Sequence, residues 1–194
     1  MSVPPLIQVH TITYAPLHTL SFAWPAGVSW VCGDEGQGKT TLLRLLAGDV
    51  QPSQGEVSQP QDPVFWADLQ GPEHDTTTVQ ACWDVLRTRY PHWNEDVLRD
   101  LAQELDLTRH QDKQLHMLSA GSRRKVTVIA ALASGATVTL LDQPFVALDF
   151  ASIGVIKDFL QEAAEHPSRA WIVADYEAPN DLPLVSVLHL DAPR

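Results

Sequence analysis

"GDEGQGKT", residues 33–40, fits the pattern G-x-x-x-x-G-K-[ST]. An apolar run that stops at glycine, "GVSWVCG" (27–33), comes before it. After it comes "GKTTLLRLLAG" (38–48), apolar at helical spacing and closed by Gly48. A strand, a glycine-rich loop and a helix in that order are the setting in which this pattern has a mechanism. The glycines let the backbone bend until its N–H groups face phosphate oxygens. Lys39 can then reach the outer phosphates, and Thr40 can offer a hydroxyl to magnesium. The helix N-terminus adds partial positive charge. Gly33, Asp34, Glu35, Gly36, Gln37, Gly38, Lys39, Thr40 and Thr41 are therefore read as a phosphate-binding loop.

Working outward, strands alternate with helices. "LIQVHTITY" (6–14) and "TLSFAW" (19–24) alternate like half-buried strands, "QPSQGEVSQPQDP" (51–63) reads as a surface hairpin or loop, and "PVFWADL" (63–69) reads as a strand. Residues 77–107 read as two helices. The second puts Val97, Leu98, Leu101 and Leu105 on one face behind an Asn94 cap. A helix over 122–135, a buried strand over 137–142, a helix over 150–166 capped by Asp149, and strands over 170–175 and 184–190 complete the chain. The pattern predicts an α/β fold with a helical block inserted in the middle.

Bulk properties narrow the function. Net charge is −11 with 19% charged residues, which argues against nonspecific nucleic-acid binding and against a polybasic membrane patch. The apolar stretch "VTVIAALAS" (126–134) is far below the roughly 20 residues that span a bilayer. The N-terminal "MSVPPLIQVH" shows no signal-peptide pattern, and two cysteines, Cys32 and Cys82, give neither a disulfide framework nor a metal motif. The expectation is a cytosolic protein with reduced thiols.

A second phosphate-binding surface lies in "HMLSAGSRRKV" (116–126), where Leu-Ser-Ala-Gly opens a helix and leaves N–H groups and the Ser119 hydroxyl facing outward. One chain has little use for two such surfaces in separate places. They make sense if the loop of one copy covers a nucleotide held by another.

Taken together, these stretches resemble the nucleotide-binding subunit of ATP-binding cassette (ABC) transporters over nearly the whole chain. Gly33–Thr40 matches the Walker A loop, Gln70 the Q-loop glutamine, and Leu118–Ser122 the signature "LSGGQ" with alanine and serine at its third and fifth places. Leu140–Asp142 matches Walker B, Ala147–Asp149 the D-loop, and Tyr14 the aromatic that stacks on adenine. Within the family, the short chain, "LSAG" and "DQPFVALD" look most like the haem-exporter ATPase subunit of cytochrome c maturation.

The resemblance implies a P-loop NTPase (RecA-like) core with an antiparallel β-subdomain and an inserted helical subdomain around residues 75–125, all in a single ATP-binding domain over 1–194. It implies ATP and Mg2+ as ligands, with Thr40, Gln70 and Asp142 at the metal and Ser119 and Gly121 acting across a head-to-tail dimer. It also implies an integral-membrane permease as partner, reached from the inner face of the membrane. The second cassette is a copy of this chain or a different one.

Two departures from the family pattern concern hydrolysis. The catalytic glutamate's place holds Gln143, which can accept a hydrogen bond from water but cannot take its proton. Losing a positioned base costs about 10²–10⁴-fold in rate. It also removes a negative charge beside the γ-phosphate, worth about 3–4 kcal/mol of repulsion at an effective dielectric near 20, before screening. In "WIVADYEAP" the switch histidine's place holds Asp175, with Tyr176 and Glu177 as the neighbours that a one-residue shift brings in. Three readings of Asp175 stay open: a substitute base, a decayed site, and a side chain turned to solvent.

The two function classes that follow are a slow transporter ATPase and a non-hydrolysing module that regulates a partner by closing on ATP. A soluble ABC protein acting on ribosomes or DNA fits the acidic charge and single cassette less well. The eight histidines show no ligand spacing. Trp83 and Trp93 read as packing or partner-facing residues, and "RRK" (123–125) as a solvated face, with contact to phosphate or a neighbouring acid as the alternative.

Overall fold

The computed structural model describes residues 4–190. They form two compact units. The first takes the residues up to Trp66, Thr137–Gln143 and the residues from Phe159 onward; the second takes Ala67–Ala136 and Pro144–Asp158.

The first unit holds two sheets and the phosphate-loop helix. Strands β1 (Ile7–Tyr14), β2 (Leu17–Trp24) and β4 (Gln54–Ser58) make an antiparallel sheet in the order β2-β1-β4. The stretch 51–63, expected as a surface hairpin or loop, contributes a third strand to this sheet. Gly55, at φ +81, sits so close to the His10 and Thr11 carbonyls that a Cβ there would collide with backbone. Glycine at this position lets β4 lie against β1.

A parallel sheet runs β5-β6-β3-β7, built from β3 (Gly27–Cys32), β5 (Val138–Asp142), β6 (Ala170–Asp175) and β7 (Ser186–His189). Parallel sheets are covered on both faces, and every residue of β3 is buried. Helix α1 (Lys39–Ala47) supplies Leu42, Leu43, Leu45 and Leu46 to a core shared with Ile7, Val9 and Ile12 of β1 and with Leu140, Ile172 and Ala174 of β5 and β6. On the other side of β6, Trp171 meets Phe159 edge-on at 6.2 Å between ring centroids.

Residues 63–69, expected as a strand, pair only at Phe65, which bonds to Val138 and Leu140 of β5 through its N–H and C=O. Pro63 has no N–H to donate, which shortens the ladder at its start.

The second unit is helical. Helices α2 (Val79–Arg87), α3 (Glu95–Glu104) and α4 (Ala120–Ala133) surround Trp83, Leu98, Leu101, Leu105 and Ile129. Asn94 caps α3 through the Asp96 and Val97 N–H groups, and Thr78 caps α2 through Ala81 N–H. Helix α4 begins two residues earlier than the apolar pattern suggests, because the Ser119 side chain accepts from Ser122 N–H and fixes the start at Ala120. Asp149 likewise accepts from Ser152 N–H at 2.8 Å in the first turn of α5 (Phe150–Ala163).

Trp83 is fully buried, and its indole N–H donates to the Val126 carbonyl at 3.0 Å. Trp83→Ala removes that packing and one buried hydrogen bond. Denaturant unfolding should show a loss of about 3–5 kcal/mol, and a loss under about 1 kcal/mol would contradict the packing described.

Candidate functional site

The carboxyl ends of β3, β6 and β5 lie side by side, and the register pairs Cys32 with Asp175 and Ala174 with Asp142. Ligands of open parallel sheets bind at this edge. The turn from β3 into α1 bends through Gly36 at φ +80 and Gly38 at φ +95. A Cβ on Gly38 would come within 2.8 Å of Leu17, so the turn needs glycine for space as well as for its dihedral. The cleft above it measures about 350 Å³. Pro16, Asp34, Glu35, Gly36, the four residues from Gly38 to Thr41, and Gln143 form its walls.

Lys39 is buried, and its ammonium donates to the Gly33 carbonyl at 2.5 Å and the Asp34 carbonyl at 2.9 Å. Gln37 closes the loop from within, its Oε1 accepting from Asp34 N–H at 2.8 Å. Thr40 Oγ1 donates to Asp142 Oδ2 at 2.5 Å, joining residues 102 apart in sequence. The hydroxyl and the carboxylate are hard oxygen donors of the kind magnesium prefers. With a glycine-bent loop and a lysine beside them, they fit Mg-ATP.

Gln143 sits at φ +46, a conformation that long side chains rarely adopt, and is held there by its own N–H donating to the Ala174 carbonyl at 2.8 Å. Asp175 ends β6, and its carboxylate accepts from Tyr176 N–H at 2.8 Å. Burial first, and then the charges of Asp175 and Glu177, push the Cys32 thiol up. Sequence reasoning missed the role of Tyr176, whose ring stands 4.6 Å from Lys39 Nζ. Of the three residues Asp175, Tyr176 and Glu177, it is the tyrosine that stacks on the lysine. A ring face near a lysine leaves no pattern in a sequence. Tyr14 packs at the margin of the hydrophobic core, while Pro16 reaches the cleft.

The other predicted residues lie in the second unit. Gln70 is exposed, and its N–H donates to Asp68 Oδ1 at 3.0 Å. Ser119 is exposed and caps α4. Gly121 lies so tightly on the Ala147 carbonyl that a Cβ would overlap it, which ties the signature turn to the D-loop. Ala147 itself has φ +63. Two residues of "RRK" depart from a solvated face and take the alternative reading, contact with a neighbouring acid: Arg123 meets Asp75 and Lys125 meets Asp149. The side chains of Arg123 and Lys125 are only 13% and 11% exposed, because each finds acceptors close to its own helix.

A family model described as "ABC transporter" matches residues 17–146. The chain belongs to the ABC transporter family. The cassette is 32% identical over 163 residues to the cytochrome c biogenesis ATP-binding export protein CcmA of Tatumella citrea, covering 79% of this chain and 77% of that one. The CcmA of Haemophilus influenzae is 28% identical over 160 residues, covering 76% of each chain. Among solved structures, a dimeric bacterial ABC transporter cassette shares the fold with a TM-score of 0.72 and 19% identity, covering 88% of both chains. This is an ATP-binding cassette of P-loop fold, and among its described residues no helix is long and apolar enough to cross a membrane.

The Tyr176 ring lies against the Lys39 ammonium and is expected to stay there when the lysine turns from the loop carbonyls to phosphate, so Tyr176→Phe should keep the ATP affinity. Tyr176→Ala should lower it about 2–5-fold, the range expected of an exposed cation–π contact. Isothermal titration decides this, and a rise in affinity would show that the ring competes with phosphate for the lysine.

Proposed function

We propose that this cassette is the ATP-hydrolysing subunit of an exporter that acts in haem export for cytochrome c maturation. It would work as a head-to-tail dimer on the inner face of the membrane, against an integral-membrane permease, with slow turnover. The observation that carries the nucleotide reading is the Thr40–Asp142 hydrogen bond. The two CcmA relatives, named as export proteins of cytochrome c biogenesis, support the pathway.

Magnesium bound at Thr40 and Asp142, with Gln70 as a further ligand, would draw charge from the phosphates. The chain's own residues do the remainder. Lys39 leaves the Gly33 and Asp34 carbonyls for the outer phosphates. The N–H groups of the Gly33–Gly38 loop turn to phosphate oxygens, and Tyr14 stacks on adenine. Gln143 orients the attacking water through its amide oxygen but takes no proton from it. Ser119 and Gly121 of the second cassette complete the phosphate shell.

Closure on ATP is therefore favoured over turnover. Gln143 also supports a second reading, a non-hydrolysing module that regulates a partner by closing on ATP.

Lys39→Ala should weaken ATP binding by at least tenfold, and equal affinity in the variant would refute the phosphate-loop reading. Sedimentation should show ATP and magnesium driving dimerisation.

For hydrolysis, Gln143→Glu should raise the rate by on the order of 10²-fold, as a restored base would, while Asp175→Asn should change it little. Abolition by Asp175→Asn would instead identify Asp175 as the base. Vigorous turnover in the parent, insensitive to both changes, would exclude both roles.

A further inference from the structure

The guanidinium of Arg123, in the first turns of α4, makes three hydrogen bonds. Nε donates to the Leu69 carbonyl at 2.7 Å, one terminal nitrogen to the Gly71 carbonyl at 2.7 Å, and the other to Asp75 Oδ1 at 2.6 Å. The two carbonyls belong to the residues on either side of Gln70. The clamp closes with the side chain largely buried, 13% exposed. A guanidinium is suited to this because its donors form a rigid planar fork, which one ammonium cannot reproduce.

The clamped segment is itself ordered. His74 N–H donates to the Gly71 carbonyl and Asp75 N–H to the Pro72 carbonyl, while the Asp75 carbonyl accepts from His116 N–H at 3.1 Å.

The same helix holds the D-loop. Lys125, two residues on, reaches Asp149 Oδ2 at 3.4 Å and the Leu105 carbonyl at 3.2 Å. The Asp149 carboxyl lies low, at about 2, because it accepts from the Ser152 backbone and hydroxyl, with Lys125 adding to the effect. Gly121, on the first turn, rests on the Ala147 carbonyl.

We propose that Arg123 is the positioning residue for Gln70. By gripping the main chain on both sides of it, Arg123 makes the glutamine's placement depend on the signature helix, so that Gln70, Ser119 and Asp149 move as one body. Among the described residues, the hydrogen bond that Gln70 itself makes is the short-range one from its N–H to Asp68 Oδ1. The functional half of this inference rests on the reading of Gln70 as a magnesium ligand. The mechanical half does not.

The test has two arms, both on the full chain. In the first, hydrogen–deuterium exchange is followed at the Gln70, His74 and Asp75 amides. Arg123→Ala should speed their exchange about tenfold or more while the amides of residues 126–133 keep their protection. Arg123→Lys, which retains the charge facing Asp75 but not the fork, should speed it too and serves if the alanine variant does not fold. Unchanged exchange at those three amides would overturn the clamp.

In the second arm, the Mg2+ concentration needed for half-maximal ATP binding is measured. It should rise on the order of tenfold in Arg123→Ala, as expected when a residue orienting a metal ligand is lost. Gln70→Ala should give a similar rise, and the double variant no further one. Additive effects would show that Arg123 acts elsewhere. ATP binding without magnesium should be the same in all these variants. Failure of the nucleotide reading would appear in the Lys39→Ala titration and leave the exchange arm intact.

Discussion

The hydrogen bond from Thr40 to Asp142 depends on nearly everything else in the first unit. Its two ends belong to different strand–turn junctions, and β6 runs between the strands that lead to them. Three strands must pair in parallel, in one register, before a hydroxyl in the first turn of α1 can meet a carboxylate at the end of β5. The glycines of the loop then have to take left-handed dihedrals to turn the helix toward that edge. The leucines of α1, buried against both sheets, hold the helix at this height. A charged site at the rim of a sheet is thus a consequence of apolar packing beneath it.

The chemistry available at this rim is shaped by what stands next to that pair. Gln143 keeps the size of a glutamate and gives up its basicity, while adopting a backbone conformation rarely seen outside glycine and asparagine. The strain at this position is offset by one main-chain bond to β6. Lys39 is arranged differently. Its charge is buried but satisfied by two carbonyls and a ring face, so the loop stays ordered around a cation that would otherwise be costly to hide.

Much of this was legible in the sequence, for identifiable reasons. The phosphate loop announces itself because backbone geometry demands glycine at fixed spacing. The strands around it read correctly because burial on both faces of a parallel sheet leaves continuous apolar runs. Helix α3 was readable from its Asn94 cap and its leucines. What failed to show depends on contacts between distant residues. Strand β4 hides among turn residues because it is an exposed edge whose pairing depends on one glycine's close approach. Residues 63–69 look like a strand by composition, but a proline limits the ladder. The basic run 123–125 looks solvated because nothing local reveals that carbonyls some fifty positions earlier will receive its first arginine. The tyrosine on Lys39 is invisible for the same reason.

The two cysteines have a practical consequence. Each unit encloses one, Cys32 in the sheet unit and Cys82 in the helical unit, and burial keeps both thiols neutral. A neutral, hidden thiol reacts only when its surroundings open. The unaltered chain therefore carries a separate built-in probe in each half. The speed at which each sulfur is trapped by an alkylating reagent measures how often its own unit breathes, with no foreign label added to either.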